Sequence, residues 1–238
     1  GQVTETDPRD VMAALTASTR AQHAWDKSGG ASRARILEKA ADLYEKNRAK
    51  LLGLLIREAG KSLDNALADL REAVDFLRYY AERARADFNG PVAMPGPTGE
   101  RNELSLHGRG VFACIAPWNF PLAIFTGQVA AALASGNAAI AKPAEQTPLV
   151  AFEAVKLLHA AGVPGDILHF LPGDGAAIGK VLLAERQLTG VAFTGSNETA
   201  GIIARALAAR PGPIATLIAE TGGINVMFLD SSALPVHA

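Results

Sequence analysis

Three features of the sequence predict an α/β chain, in which N-terminal helices precede a parallel, Rossmann-like sheet with crossover helices. The first third reads as helix almost throughout, and from Val111 onward short apolar β-prone runs alternate with helical segments. Aromatic residues make up only 6% of the chain against 23 glycines and many alanines, which favours close element packing and tight turns over an all-β sandwich.

Asp7 as N-cap, Pro8 at the first helical position and Asp10 near the positive end of the dipole open a helix that runs to about Trp25. Ser28, Gly29 and Gly30 break it. The second helix carries Ile36, Leu37, Ala40 and Leu43 at three-to-four-residue spacing, and the third runs from Ala49 to Ala59 and stops at Gly60. A fourth opens at Ser62 with the stripe Leu63, Leu67, Leu70, Val74, Leu77 and Ala81, while its Arg and Glu residues fall mostly on the other side, as on a solvated face. Residues 1–88 are thus the helical part. Prolines and glycines then stop helices across 89–110, an extended arm or hairpin in which Glu103 to His107 alternates as a strand would.

The remainder, 111–238, reads as the sheet domain. Its strands are expected at Val111–Ile115, Ala138–Ala141, Ile167–Phe170, Val191–Phe193, Ala215–Ala219 and Val226–Leu229. Helices are expected to end at Ser135, Ala161, Ala184 and Ala209.

Composition bounds the partners. Twenty-three basic and 24 acidic residues give a formal net charge of −1, which removes the electrostatic case for nucleic acid or an anionic membrane. The longest apolar stretch, Val111 to Phe125, is broken by Pro117, Asn119 and Pro121 and is too short for a bilayer span, so no membrane insertion is expected. The polar, acidic first residues lack the pattern of an export signal, and the default is cytoplasmic. Cys114, alone, can form no internal disulfide, and His23, His107, His159, His169 and His237 lack the pairing of a zinc site, so no metal is expected. Within an apolar strand the Cys114 thiol is desolvated and inert.

Ligands of doubly wound sheets bind where loops leave the carboxyl ends of strands, and five such segments carry unusual residues. Pro117-Trp118-Asn119-Phe120-Pro121 is a proline-fixed loop presenting an amide that could donate to a developing oxyanion, or merely satisfy a turn. Lys142-Pro143-Ala144-Glu145 places a cation and a carboxylate where ribose hydroxyls could be held, or forms an ordinary surface ion pair. Pro172-Gly173-Asp174-Gly175, with Gly179, resembles a phosphate-binding turn but has the spacing G-x-G-x-x-x-G and follows the third strand of the set. Phe193-Thr194-Gly195-Ser196 ends a strand in a small hydroxyl-bearing turn at a helix N-terminus, suited to a phosphate or to packing alone. Glu220-Thr221-Gly222-Gly223 ends the apolar Ile214–Ala219 run. Partial burial there would make Glu220 a general base, and solvent exposure a plain strand end.

In this order the five segments resemble the signature of the NAD(P)-dependent aldehyde dehydrogenases, and the helices before them resemble that family's N-terminal helices. The resemblance implies Asn119 as the oxyanion-hole amide, Glu220 as the base for the deacylating water, Lys142 and Glu145 on the adenosine ribose, and Ser196 on the pyrophosphate. It also implies that Pro117, Trp118, Gly175, Gly179, Phe193, Thr194, Gly195 and Gly222 line the cofactor cleft. A carboxylate at Glu145 would repel a 2′-phosphate, which favours NAD over NADP. The text IFTGQVAAALASGN (124–137) and the threonine in ETGG further resemble the glutamate-γ-semialdehyde (pyrroline-5-carboxylate) dehydrogenase module of the bifunctional proline-utilisation flavoenzymes. That sub-assignment implies L-glutamate-γ-semialdehyde oxidised to L-glutamate, with FAD only in a proline dehydrogenase module outside this chain. The 89–110 arm resembles the family's intersubunit strand pair and implies a homo-oligomer.

The family's nucleophilic cysteine lies downstream of the ETGG glutamate, and none follows Glu220 here; the cysteine-bearing catalytic domain is expected to be absent. Ala200 also stands where many relatives have glycine. The chain alone is therefore expected to bind cofactor without turning over. The alternatives are a stand-alone NAD-binding or assembly module, a poorly folded remnant, and a dehydrogenase for a different aldehyde.

Overall fold

A computed structural model describes residues 3–224, 226, 228 and 230–232. Four helices come first: α1 (Pro8–Lys27), α2 (Gly30–Lys46), α3 (Arg48–Ala59) and α4 (Leu63–Asp87). Their ends follow the sequence signals. Asp7 accepts from the Arg9 amide, Ser62 accepts from the Asn65 amide, and Gly60 ends α3 with a left-handed φ of 66°.

The apolar stripe of α4 departs from expectation in its first turns. Leu63 and Leu67 are exposed, and the buried line runs instead through Ala66, Asp69, Leu70, Ala73, Val74, Leu77, Ala81 and Ala84. A carboxylate, Asp69, thus sits on the buried face.

The arm is a two-stranded antiparallel hairpin, β1 (Val92–Met94) against β2 (Asn102–Leu104), with Val92 opposite Leu104. The strand expected over Glu103–His107 is displaced toward the N-terminus because His107 is taken by Asp26: its Nδ1 lies 2.9 Å from Asp26 Oδ2.

The sheet strands are β3 (Val111–Ile115), β4 (Ala138–Lys142), β5 (Leu168–Phe170), β6 (Leu188–Gly195) and β7 (Thr216–Thr221), all parallel, in the order β5-β4-β3-β6-β7. The connecting helices are α5 (Ala123–Ala134), α6 (Pro148–Ala161), α7 (Gly175–Ala184) and α8 (Asn197–Ala208). β6 is longer than the expected Val191–Phe193. Its start at Leu188–Gly190 pairs with β3 beside a register irregularity, and Gly190 is required there because a Cβ would lie 2.3 Å from the Phe112 ring. The strand expected at Val226–Leu229 falls partly outside the described residues.

From β3 the chain steps outward through β4 to β5, then returns past β3 to β6 and β7. Right-handed crossovers in opposite directions put α5 and α6 on one face and α7 and α8 on the other. Helices α2, α3 and α4 pack outside α5 and α6, and α1 lies with α7. Small strand residues, among them Ala113, Cys114, Ala138, Ala139 and Ala141, are wholly buried and let the helices approach the sheet closely.

The two helix pairs begin differently. Helices α7 and α8 carry their own caps: Asp174 accepts from the Ala177 amide at 2.6 Å and Ser196 from the Thr199 amide at 3.1 Å. Neither α5 nor α6 has a side-chain cap of its own. The outer helices supply the missing acceptors. Asp69 Oδ1 accepts from the Ala123 amide at 2.7 Å, and Glu58 accepts from the Leu149 and Val150 amides at 2.7 and 2.9 Å. The far end of α5 is held as well, by the buried Arg33 on the Ala134 carbonyl (3.0 Å) and the Trp25 indole on the Leu133 carbonyl (3.1 Å).

Candidate functional site

Register brings the expected residues to one edge of the sheet. Ile115 lies opposite both Lys142 and Phe193, Phe193 opposite Ala219, and Thr194 opposite Glu220. The loops that follow therefore leave side by side at the carboxyl ends of the strands, around the β3–β6 boundary where strand order reverses.

On the α7–α8 face lies a cleft of about 710 Å³. Lys142, Glu145, Gly175 and Gly179 meet in it, and Ile178, Leu182, Ile202 and Ile203 form apolar walls. Glu145 Oε1 accepts from the Gly175 amide at 2.7 Å and lies 3.9 Å from Lys142 Nζ, so the second and third of the strand-end loops are tied across the cleft mouth. Lys142 is buried, and burial lowers its ammonium pKa despite the opposing pull of Glu145 and Asp174. An ammonium has three donors, and the described residues give this one a single hydrogen bond, to the Pro143 carbonyl at 3.0 Å. A Cβ on Gly179 would meet nothing within 4 Å, so the cleft is open at that wall. Apolar walls for a base, a buried cation with spare donors and a half-exposed carboxylate at the rim fit a dinucleotide's adenosine end.

The opposite face holds a second, mainly apolar hollow of about 580 Å³ beside α5, bordered by Phe76, Phe112, Ile124, Ile218, Thr194 and Glu220. Glu220 is exposed among the described residues, at the end of β7. Phe193 lies at the end of β6 and borders this hollow, and Gly195 and Ser196 follow it into the N-terminus of α8. Gly222 follows β7 with a left-handed φ of 85°.

Pro117, Trp118 and Asn119 form the loop between β3 and α5; Trp118 and Asn119 are exposed and border neither hollow. Cys114 is wholly buried, and desolvation pushes its thiol up to about 12, as expected of an inert group.

Three contributors lay outside the sequence reading. Gln128 donates to the Ile115 carbonyl (3.2 Å) and the Thr194 hydroxyl (3.0 Å), locking two strand ends to α5; as a lone amide in an otherwise apolar helix it was visible in the text. Asp69 and Glu58 left no such mark. Among the described residues there is no cluster of metal-ligating side chains and no helix long and apolar enough to cross a membrane.

The model of the aldehyde dehydrogenase family matches residues 1–234. The bifunctional protein PutA of Klebsiella aerogenes is 47% identical over 237 residues, which are 98% of this chain and 17% of that protein. A crystal structure of a mutant of Bradyrhizobium japonicum proline utilization A (PutA) superposes with a TM-score of 0.91 at 54% identity, covering 93% of this chain and 23% of that one. 1-Pyrroline-5-carboxylate dehydrogenase from Thermus with bound NAD gives a TM-score of 0.89 at 36% identity over 92% of this chain and 43% of that one. The chain therefore spans less than half the length of each of these three proteins.

Proposed function

The chain belongs to the aldehyde dehydrogenase family, and from that premise we propose that it is the cofactor-binding part of an NAD-dependent L-glutamate-γ-semialdehyde dehydrogenase acting in proline catabolism. Residues 1–88 and 111–238 make up the cofactor-binding unit, and the nucleophilic cysteine belongs to a catalytic domain elsewhere in the full-length polypeptide. FAD would serve only a proline dehydrogenase module outside these residues. The exposed β1–β2 hairpin (89–110) is the oligomerisation arm, and the setting is cytoplasmic, in keeping with a single buried, reduced cysteine.

The observation that carries this reading is the cleft where Lys142 and Glu145 converge on Gly175 beneath apolar α7 and α8. Glu145 and Lys142 hold the adenosine ribose, and the Glu145 charge disfavours a 2′-phosphate. Ser196 and the free amides opening α8 receive the pyrophosphate. Pro117, Trp118, Gly175, Gly179, Phe193, Thr194, Gly195 and Gly222 line the path of the cofactor along the strand ends. Bound NAD supplies the hydride acceptor. The Asn119 side-chain amide donates a hydrogen bond to the aldehyde oxygen as it gains charge, and Glu220 takes a proton from the water that hydrolyses the acyl group.

Titration of the chain with NAD, followed by protein fluorescence, is expected to saturate, with NADP binding at least tenfold more weakly. The same chain is expected to form no NADH from the aldehyde. Absence of saturable NAD binding would overturn the reading, and turnover by these 238 residues alone would overturn the assignment of the nucleophile.

In the full-length polypeptide, Glu220→Gln should preserve the first-turnover burst of NADH and slow the steady state by about 10²-fold or more. Asn119→Ala should lower kcat/KM for the aldehyde by about 10²–10³-fold. A burst lost together with the steady state in the first variant, or an unchanged kcat/KM in the second, removes that assignment.

A further inference from the structure

The loop that carries Asn119 is anchored from outside the sheet domain, by Asp69 of α4 and by Lys61 in the connection between α3 and α4. Lys61 Nζ and Asp69 Oδ2 form an ion pair of 2.9 Å whose side chains are 9% and 0% exposed. The other carboxylate oxygen, Oδ1, accepts from the Ala123 amide at 2.7 Å, the first residue of α5 and four residues after Asn119. The same Lys61 ammonium sits 4.0 Å from the centroid of the Phe120 ring, the neighbour of Asn119. Two consecutive anchors, one polar and one cation–π, thus bracket the segment immediately after the amide. A buried charge pair is costly to desolvate where a hydrophobic pair would pack as well, so it is weak evidence for stability alone, and its two contacts to the Asn119 loop are what point to a role.

We propose that Asp69 and Lys61 are positioning residues for the reaction: they fix the start of α5 and the Phe120 ring, and so hold the Asn119 amide at the place where the aldehyde oxygen gains charge. This rests on the reading of Asn119 given above. In this assignment the pair acts through the loop and not by contact with substrate or cofactor. It lies on the α5 side of the sheet, opposite the α7–α8 cleft, so it should act mainly on the aldehyde step and leave the adenosine end of the cofactor site, at Lys142, Glu145 and Gly175, untouched.

The test is a set of variants in the full-length polypeptide, read by kcat/KM for the aldehyde per NAD-binding site, by NAD affinity, and by amide hydrogen exchange over 117–126 and 174–180. Asp69→Ala is expected to lower kcat/KM about 10²-fold, the scale of an ångström-sized displacement of a catalytic group. Asp69→Asn, which keeps an oxygen for the Ala123 amide, should recover at least tenfold of that loss, and Phe120→Leu should cost several-fold. NAD affinity should fall by no more than a few-fold, because, of the proposed cofactor residues, only Pro117 and Trp118 lie in the loosened segment. Exchange should rise over 117–126 and not over 174–180.

Should Asp69→Ala fail to fold, Asp69→Asn and Phe120→Leu carry the test. Wild-type kcat/KM and wild-type exchange at 117–126 in those two variants would overturn the proposal. So would exchange rising equally in both segments, which marks a general loosening. In the Asn119→Ala background, Asp69→Asn should add little, and full additivity would show that Asp69 acts by another route. If Asn119→Ala itself proves silent while exchange still rises over 117–126, the reading of Asn119 fails and the anchoring stands as structure without a catalytic purpose.

Discussion

Helices α7 and α8 begin with residues that satisfy their own backbone, Asp174 and Ser196, whereas α5 and α6 begin on Leu122 and Thr147 and depend on Asp69 and Glu58 from the outer helices. The free amides of a helix start need acceptors in both cases. A self-capped start is mainly local; α7 adds one tertiary acceptor, Glu145 on the Gly175 amide, while α8 leaves its remaining amides open to a ligand. A start capped from another layer is a tertiary contact, and it fixes the preceding loop to the body of the protein. The loops so fixed are the ones bearing Asn119 and the pair Lys142 and Glu145.

This difference can be pushed on directly. Glu58→Ala removes two charge-assisted hydrogen bonds from half-buried amides, and should cost about 2 kcal/mol in urea unfolding at unchanged m-value. It should also weaken NAD binding several-fold, because the loop it holds carries Lys142 and Glu145. Asp174→Ala, which removes an exposed local cap and leaves the Glu145 contact to Gly175 in place, should cost about 1 kcal/mol. If the two midpoints shift equally, and NAD affinity falls no more for the first than for the second, the distinction between borrowed and native caps has no energetic content.

The same difference explains what was legible in the text. Asp7, Ser62 and Gly60 marked helix ends because their partners lie within five residues, Pro8 because its fixed φ suits a first helical position, and the strands from β3 onward announced themselves by apolar runs. The five strand-end segments were placed on one edge by topology alone, and register then aligned Lys142 with Ile115 and Glu220 with Thr194. Asp69 could not be found this way. On the helical wheel of α4 it reads as one more charge, and only the approach of α5 and Lys61 turns it inward. Leu63 and Leu67 failed for the complementary reason: their spacing fits an apolar stripe, but no neighbouring helix covers that end of α4 closely enough to bury them. The exposure of Glu220 likewise depends on what packs over β7, which no local pattern encodes.

Cys114 gives the molecule a built-in clock. The thiol is at the centre of the sheet, between β4 and β6, with no exposed surface and its ionisation suppressed by burial. An alkylating reagent can reach it only when the strands part, so in the 238-residue chain the labelling rate counts openings of the sheet and nothing else. Slower labelling on addition of NAD would measure how far ligand at the strand ends steadies the whole sheet.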